Sequence, residues 1–121
     1  MKTILIVEDN PANRELLREV LESRGYKVEE AQNGKEALKV LPVLKPDLAI
    51  VDLQMPEMDG LSLIRHLREH PEIGTMPVLA LTAYAMHGDR ERALQSGFDG
   101  YLTKPFQIAV LTQELKHLLG E

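Results

Sequence analysis

Five side chains stand where this chain would do chemistry: Glu8, Asp9, Asp52, Thr82 and Lys104. Each comes at the end of a short run of strand-forming residues. Taken singly, each has an ordinary explanation. Asp52 is a good loop or cap residue, and Glu8 and Asp9 suit the positive end of a helix dipole. Thr82 is a common strand hydroxyl, and Lys104 a common surface cation. Their joint occurrence at strand ends selects a chemical reading. Three carboxylates brought within a few ångströms repel, and either a proton or a cation relieves them. Hard oxygen donors beside open water positions suit Mg²⁺. Asp52 would give one oxygen to the metal and attack phosphorus in line with the other. The metal would offset charge building on the phosphoryl oxygens. Lys104 would serve as a point-charge phosphate partner, and the Thr82 hydroxyl as a hydrogen-bond donor.

The elements that must position these groups follow from apolar patterning. Residues 4–7, 48–51 and 78–81 are unbroken apolar runs, too short for helices, and read as strands buried on both faces. Residues 27–31 alternate and carry Glu29 and Glu30, as a polar edge strand does. Residues 101–103 form a short last strand. Asn10 caps a first helix with Pro11 at its first position, Leu16, Leu17, Val20 and Leu21 as its apolar stripe, and Gly25 as its stop. Asn33 caps a second, with Glu36 in the capping-box position and Ala37, Leu38 and Leu41 inward; Pro42 is expected to end or kink it early. Leu61, Ile64 and Leu67 mark a third helix that stops near Pro71. A weak fourth spans residues 88–95, with Ala93 and Leu94 inward, and a fifth carries Ile108, Leu111, Leu115 and Leu118.

Strand and helix thus alternate five times, which predicts an α/β fold. It is a five-stranded parallel sheet with helices on both faces and right-handed crossovers. Apolar strands one, three and four belong at the centre and the polar second and short fifth at the edges. The order is therefore 2-1-3-4-5, the flavodoxin-like arrangement. In that order the chemical residues converge on one crevice beyond the carboxyl ends of the strands. Behind Asp52, Met55-Pro56 and Asp59-Gly60 are turn pairs that lift the chain over the sheet end.

Composition narrows the function. The 121 residues suit a single domain, 44% hydrophobic and 27% charged, with a net charge of −5 and no long basic run to meet a nucleic acid. No cysteine is present, which excludes disulfides, thiolate zinc sites and thiol nucleophiles. No apolar run approaches the roughly 20 residues of a membrane span, and the N-terminus has no signal-peptide pattern. The expectation is a cytoplasmic protein with no nucleic-acid or membrane partner. His66 and His70 have metal-ligand spacing but no third ligand, and read as surface residues. Met55, Met58 and Met86 read as packing. An aspartate-nucleophile phosphatase would need a second acid two residues after Asp52, where Gln54 stands. A flavodoxin-like electron carrier would need a phosphate loop where Glu8-Asp9-Asn10-Pro11 would repel phosphate.

Glu8-Asp9, Asp52, the Met55-Pro56…Asp59-Gly60 loop, Thr82-Ala83 and Lys104-Pro105-Phe106 together resemble the receiver domain of two-component response regulators over essentially the whole chain, residues 1–121. The resemblance implies a phosphorylation-controlled signalling switch rather than an enzyme. A sensor histidine kinase or a histidine phosphotransfer protein would transfer a phosphoryl group to Asp52. Mg²⁺ would be held by Glu8, Asp9 or both, by Asp52 and by the Gln54 backbone carbonyl. Thr82 would then bond the phosphoryl group and Tyr101 turn inward. These moves would alter the face of helix four, strand five and helix five for a downstream protein partner. The resemblance also implies a cis Lys104-Pro105 peptide. At Gln54 and Tyr84, an amide that orients water and a ring that shields phosphorus would set the phosphoryl lifetime, expected to be minutes or more.

Overall fold

The three unbroken apolar runs form the central strands, because in a parallel sheet covered on both faces each side chain of a central strand is buried. In a computed structural model, residues 1–55, 58–83 and 88–121 are described. The elements are β1 (Thr3–Val7), α1 (Pro11–Ser23), β2 (Lys27–Ala31), α2 (Gly34–Leu44) and β3 (Leu48–Asp52). They continue as α3 (Gly60–Glu69), β4 (Val78–Thr82), α4 (Asp89–Ser96), β5 (Gly100–Thr103) and α5 (Ile108–Leu119). The strands are parallel in the order β2-β1-β3-β4-β5, as the patterning predicts. The expectations placed on Pro56, Tyr84 and Met86 lie outside the described residues.

The side-chain period of two sorts each strand between two cores. Ile4, Ile6, Leu48, Ile50, Leu79 and Leu81 face α1 and α5, packing against Leu17, Leu21, Leu111 and Leu115. Leu5, Val7, Ala49, Val51 and Ala80 face α2, α3 and α4, packing against Leu41, Leu63, Ile64 and Leu67. Full burial of one such side chain contributes about 1.5–3 kcal/mol. Asparagine caps start α1 and α2 where expected. The Asn10 side chain accepts from the amides of Ala12 and Asn13, and Asn33 from that of Glu36. Asp59 caps α3 through the Ser62 amide.

Some stripes differ from the sequence expectation. Leu16 and Ile108 are about half exposed, and Leu94 is also exposed, whereas Leu63 is fully buried. A 100° step per residue carries Leu16 off the line of Leu17 and Leu21. Pro42 neither ends nor shortens α2, which continues to Leu44. A proline in the last turn removes one hydrogen bond, and here the end closes with the Lys45 amide donating to the Leu41 carbonyl at 2.8 Å, after which the left-handed backbone of Lys45 (φ 47°) turns the chain out of the helix.

Candidate functional site

The crevice is built by extending the strand alternation one step past each strand end. Ile4 and Ile6 face α1 and α5, so Glu8 continues on that side; Asp52 follows Ile50 and Lys104 follows Leu102 in the same way. The three side chains therefore meet. Lys104 Nζ donates to Glu8 Oε1 at 2.7 Å and to Asp52 Oδ2 at 3.3 Å. Thr82 has the opposite parity, as does Tyr101, which lies beside Ala80 in the β4–β5 register. The two groups expected to switch thus share the α3–α4 side of the sheet.

Glu8, Asp52 and Thr82 are buried, while Asp9 is exposed at the rim. One carboxylate oxygen from each of Glu8, Asp9 and Asp52 lies within 4.8 Å of the others. Burial first, and then the adjacent Asp52 carboxylate, push the Glu8 carboxyl above its ordinary range, against the pull of Lys104. Burial acts to lower Lys104, but the Glu8 hydrogen bond and the charges of Asp52 and Glu8 outweigh it and raise the ammonium above its usual value. Glu8 Oε2 is buried with no hydrogen-bond partner among the described residues. A buried carboxylate with one oxygen unpartnered, beside two further carboxylates that offer hard oxygen donors, fits a divalent cation of the Mg²⁺ class.

The loop after β3 is tied down at both ends. The Gln54 amide donates to Asp52 Oδ1 at 3.0 Å, and its side-chain Oε1 accepts from the Ala83 amide at 3.2 Å, bridging the ends of β3 and β4. Gly60 closes this loop where any Cβ would meet Leu53 Cδ2 at 2.7 Å and the Leu53 backbone at 3.0 Å. Lys104-Pro105 is a cis peptide, as the resemblance implies. Tyr101 is buried on β5. Its hydroxyl has no hydrogen-bond partner among the described residues, and burial, then Asp89 and Glu91 on α4, raise its pKa.

His66 and His70 each engage a ring nitrogen locally. A ring nitrogen of His66 bonds the Ser62 carbonyl, and one of His70 accepts from the Glu72 amide. Met55 is core, and Met58 packs against Gly34, which a Cβ would bring within 2.9 Å of the Met58 sulfur. Two arginines, Arg14 and Arg68, were not singled out by residue type. Arg14 bonds the backbone of the acid-bearing loop, and Arg68 bonds that of the α3–β4 and α4–β5 connections. Long side chains that grip distant carbonyls leave no local pattern in the sequence.

Residues 4–116 match the profile described as the response regulator receiver domain. The polar-differentiation response regulator DivK of Brucella anthropi is 39% identical over 120 residues, covering 99% of this chain and 98% of that protein. The signal receiver domain of a signal transduction histidine kinase from Syntrophus aciditrophicus superposes with a TM-score of 0.91 at 43% identity, covering 99% of this chain and 91% of the other. The receiver domain of a sensor histidine kinase from Pseudomonas aeruginosa PAO1 gives a TM-score of 0.91 at 38% identity, covering 99% and 98%; that structure has a magnesium ion coordinated in its active-site cleft. A five-stranded, doubly wound parallel sheet is the framework this chain shares with those structures. The chain belongs to the response regulator receiver family of two-component signalling. No helix among the described residues is long and apolar enough to cross a membrane.

Proposed function

We propose that Asp52 is the phosphoryl acceptor of a phosphorelay, that residues 1–121 act as one receiver unit, and that Glu8, Asp9, Asp52 and the Gln54 backbone carbonyl hold Mg²⁺. The observation that carries this reading is the convergence of the three carboxylates within 4.8 Å, with Lys104 bonded to both buried ones. Bound Mg²⁺ would neutralise the acids and the phosphoryl oxygens. A carboxylate oxygen of Asp52 attacks phosphorus while the P–N bond to the donor imidazole breaks, its electron pair leaving on nitrogen. The product is an acyl phosphate on Asp52. Lys104 changes partners from Glu8 to the incoming phosphoryl oxygens, and the Thr82 hydroxyl donates to another of them.

The donor is a sensor histidine kinase or a histidine phosphotransfer protein. A cleft of about 450 Å³ runs from Lys104 along Pro105, Phe106 and Ile108 to Leu16 and Val20 of α1. It supports docking of an apolar helical face that carries the phosphohistidine. Phosphorylation adds about two negative charges beside Thr82. Thr82 and Tyr101 share a sheet face with α4, an eight-residue helix with Ala93 as its only buried residue and no side-chain cap. The output is therefore the α4–β5–α5 face, read by a downstream protein through different affinity for its two arrangements. The chain is a switch rather than a multiple-turnover enzyme, although Lys104 and Thr82 would assist its own phosphorylation and dephosphorylation, with bound Mg²⁺ supplying charge neutralisation.

Intact mass after incubation with acetyl phosphate and Mg²⁺ tests the assignment. One added phosphoryl group on the wild type and none on Asp52→Asn is expected. An equal adduct on both proteins would remove Asp52 as the acceptor.

A further inference from the structure

Arg14 lies one turn into α1 and reaches back under the loop that carries the acids. Its Nη1 donates to the backbone carbonyls of Glu8 at 2.8 Å and Asp9 at 3.2 Å, while its Nε donates to Glu30 Oε1 on β2 at 3.1 Å. Glu30 is itself held by Arg18, whose Nε donates to Oε2 at 2.8 Å, and Arg18 pairs with Glu22. Only 14% of the Arg14 side chain is exposed. A guanidinium presents its donors in one rigid plane, so bonds to two carbonyls and a carboxylate fix the loop against both α1 and the β2 edge.

The loop has reason to need such a brace. Glu8 and Asp9 are consecutive, and side chains of consecutive extended residues point apart. Their mutual repulsion and that of Asp52 push in the same direction. For both carboxylates to reach the same point as Asp52, the peptide planes between them must be turned and held. Arg14 bonds the carbonyls of those two residues. We propose that Arg14 is a positioning residue for the divalent-cation site, orienting the Glu8–Asp9 backbone so that both carboxylates converge with Asp52. This inference rests on the reading of the three acids as a Mg²⁺ site.

Charge and geometry predict opposite signs here. As a cation near the acids, Arg14 disfavours a second cation, so its removal by charge alone would tighten Mg²⁺ binding. As a brace, its removal loosens the ligands and weakens binding. Isothermal titration of the metal-free full chain with Mg²⁺ separates the two, with urea unfolding in EDTA recording stability independently. Arg14→Gln and Arg14→Lys are both expected to raise the Mg²⁺ dissociation constant about tenfold, the range for groups that orient metal ligands. Lysine fails because it keeps the charge without the fork. Unchanged or tighter binding in either variant overturns the inference, even if urea stability falls, since a purely structural arginine would change stability alone. Should Arg14→Gln not fold, Arg14→Lys carries the same decision. Wild-type protein that binds no Mg²⁺ would overturn the metal-site reading and the inference with it. Wild-type binding that Asp52→Asn weakens and Arg14 variants do not would overturn the inference alone.

Discussion

Lys104 counters two buried acids at once, so its removal exposes what the crevice costs without a cation. Lys104→Ala leaves Glu8 and Asp52 without a positive partner, a loss of about 2–3 kcal/mol, moderated because Glu8 can take up a proton. Urea unfolding in EDTA should show that loss, and saturating Mg²⁺ should return part of it; no recovery would place the metal elsewhere. The raised pKa of Glu8 has a definite sign. The folded protein keeps the Glu8 proton to higher pH than the unfolded chain, whose carboxyl titrates near 4.5. Between that pH and the raised value the folded state binds more protons, so the contribution of Glu8 is favourable below about 4.5 and is lost as pH rises. Metal-free wild type should therefore lose stability relative to Glu8→Gln between pH 4.5 and neutrality, with the gap closing below it. A difference independent of pH would contradict the burial of an ionisable Glu8. At this scale the sequence was informative about residue type and position and silent about partners. That Glu8 would be acidic and near Asp52 followed from strand order. That Gln54 would clasp the Ala83 amide did not, since an exposed amide has many acceptable partners.

Among the elements, the loop from β3 to α3 depends on a glycine for space rather than for dihedral freedom. A methyl at Gly60 would press on the backbone of Leu53 and on the Asp52 carbonyl at 3.1 Å, neither of which moves freely. Gly60→Ala should cost about 2 kcal/mol and slow acetyl-phosphate labelling of Asp52. Labelling at the wild-type rate would show that the loop absorbs the methyl without moving Asp52. Arg68 performs a larger task at the opposite end of the sheet. Its guanidinium bonds the carbonyls of Gly97, Gly74 and Met76 and the Asp99 carboxylate, which also accepts from the Val78 amide. It pins the C-terminal end of α4, a helix with little apolar anchoring of its own. Arg68→Ala should cost about 2 kcal/mol through unsatisfied, partly buried carbonyls, and hydrogen exchange should quicken in α4 before it does in α1. Equal acceleration in both helices would mean that Arg68 supports the fold without favouring α4. Local pattern read α1 and α2 well because their asparagine caps are strong, and α5 through the apolar spacing of Leu111 and Leu115. It overstated Pro42, because a proline in a last turn costs less than one in the middle.

For the molecule as a whole, Mg²⁺ binding at the proposed site would be linked to folding. A ligand that binds only the folded state at a hundred times its dissociation constant adds about 2.7 kcal/mol, which raises the Tm of a domain this size by roughly 10 °C. Thermal unfolding with and without Mg²⁺ should show that rise in wild type and much less of it in Asp52→Asn. The sequence alone determined the sheet, its strand order and the strand ends that carry the acids, threonine and lysine. Burial on two faces writes itself into short apolar runs, and a polar edge strand writes itself into alternation, both over a few residues. Tertiary structure alone decided that Lys104 lies between Glu8 and Asp52, that Tyr101 is buried, that Leu16 borders an open cleft, and that Arg14 and Arg68 grip backbone far from their own positions. These outcomes depend on where flexible side chains find partners after distant segments have been brought together. Period and propensity set the direction in which a chain runs, and only packing sets which of several reachable neighbours a long side chain meets.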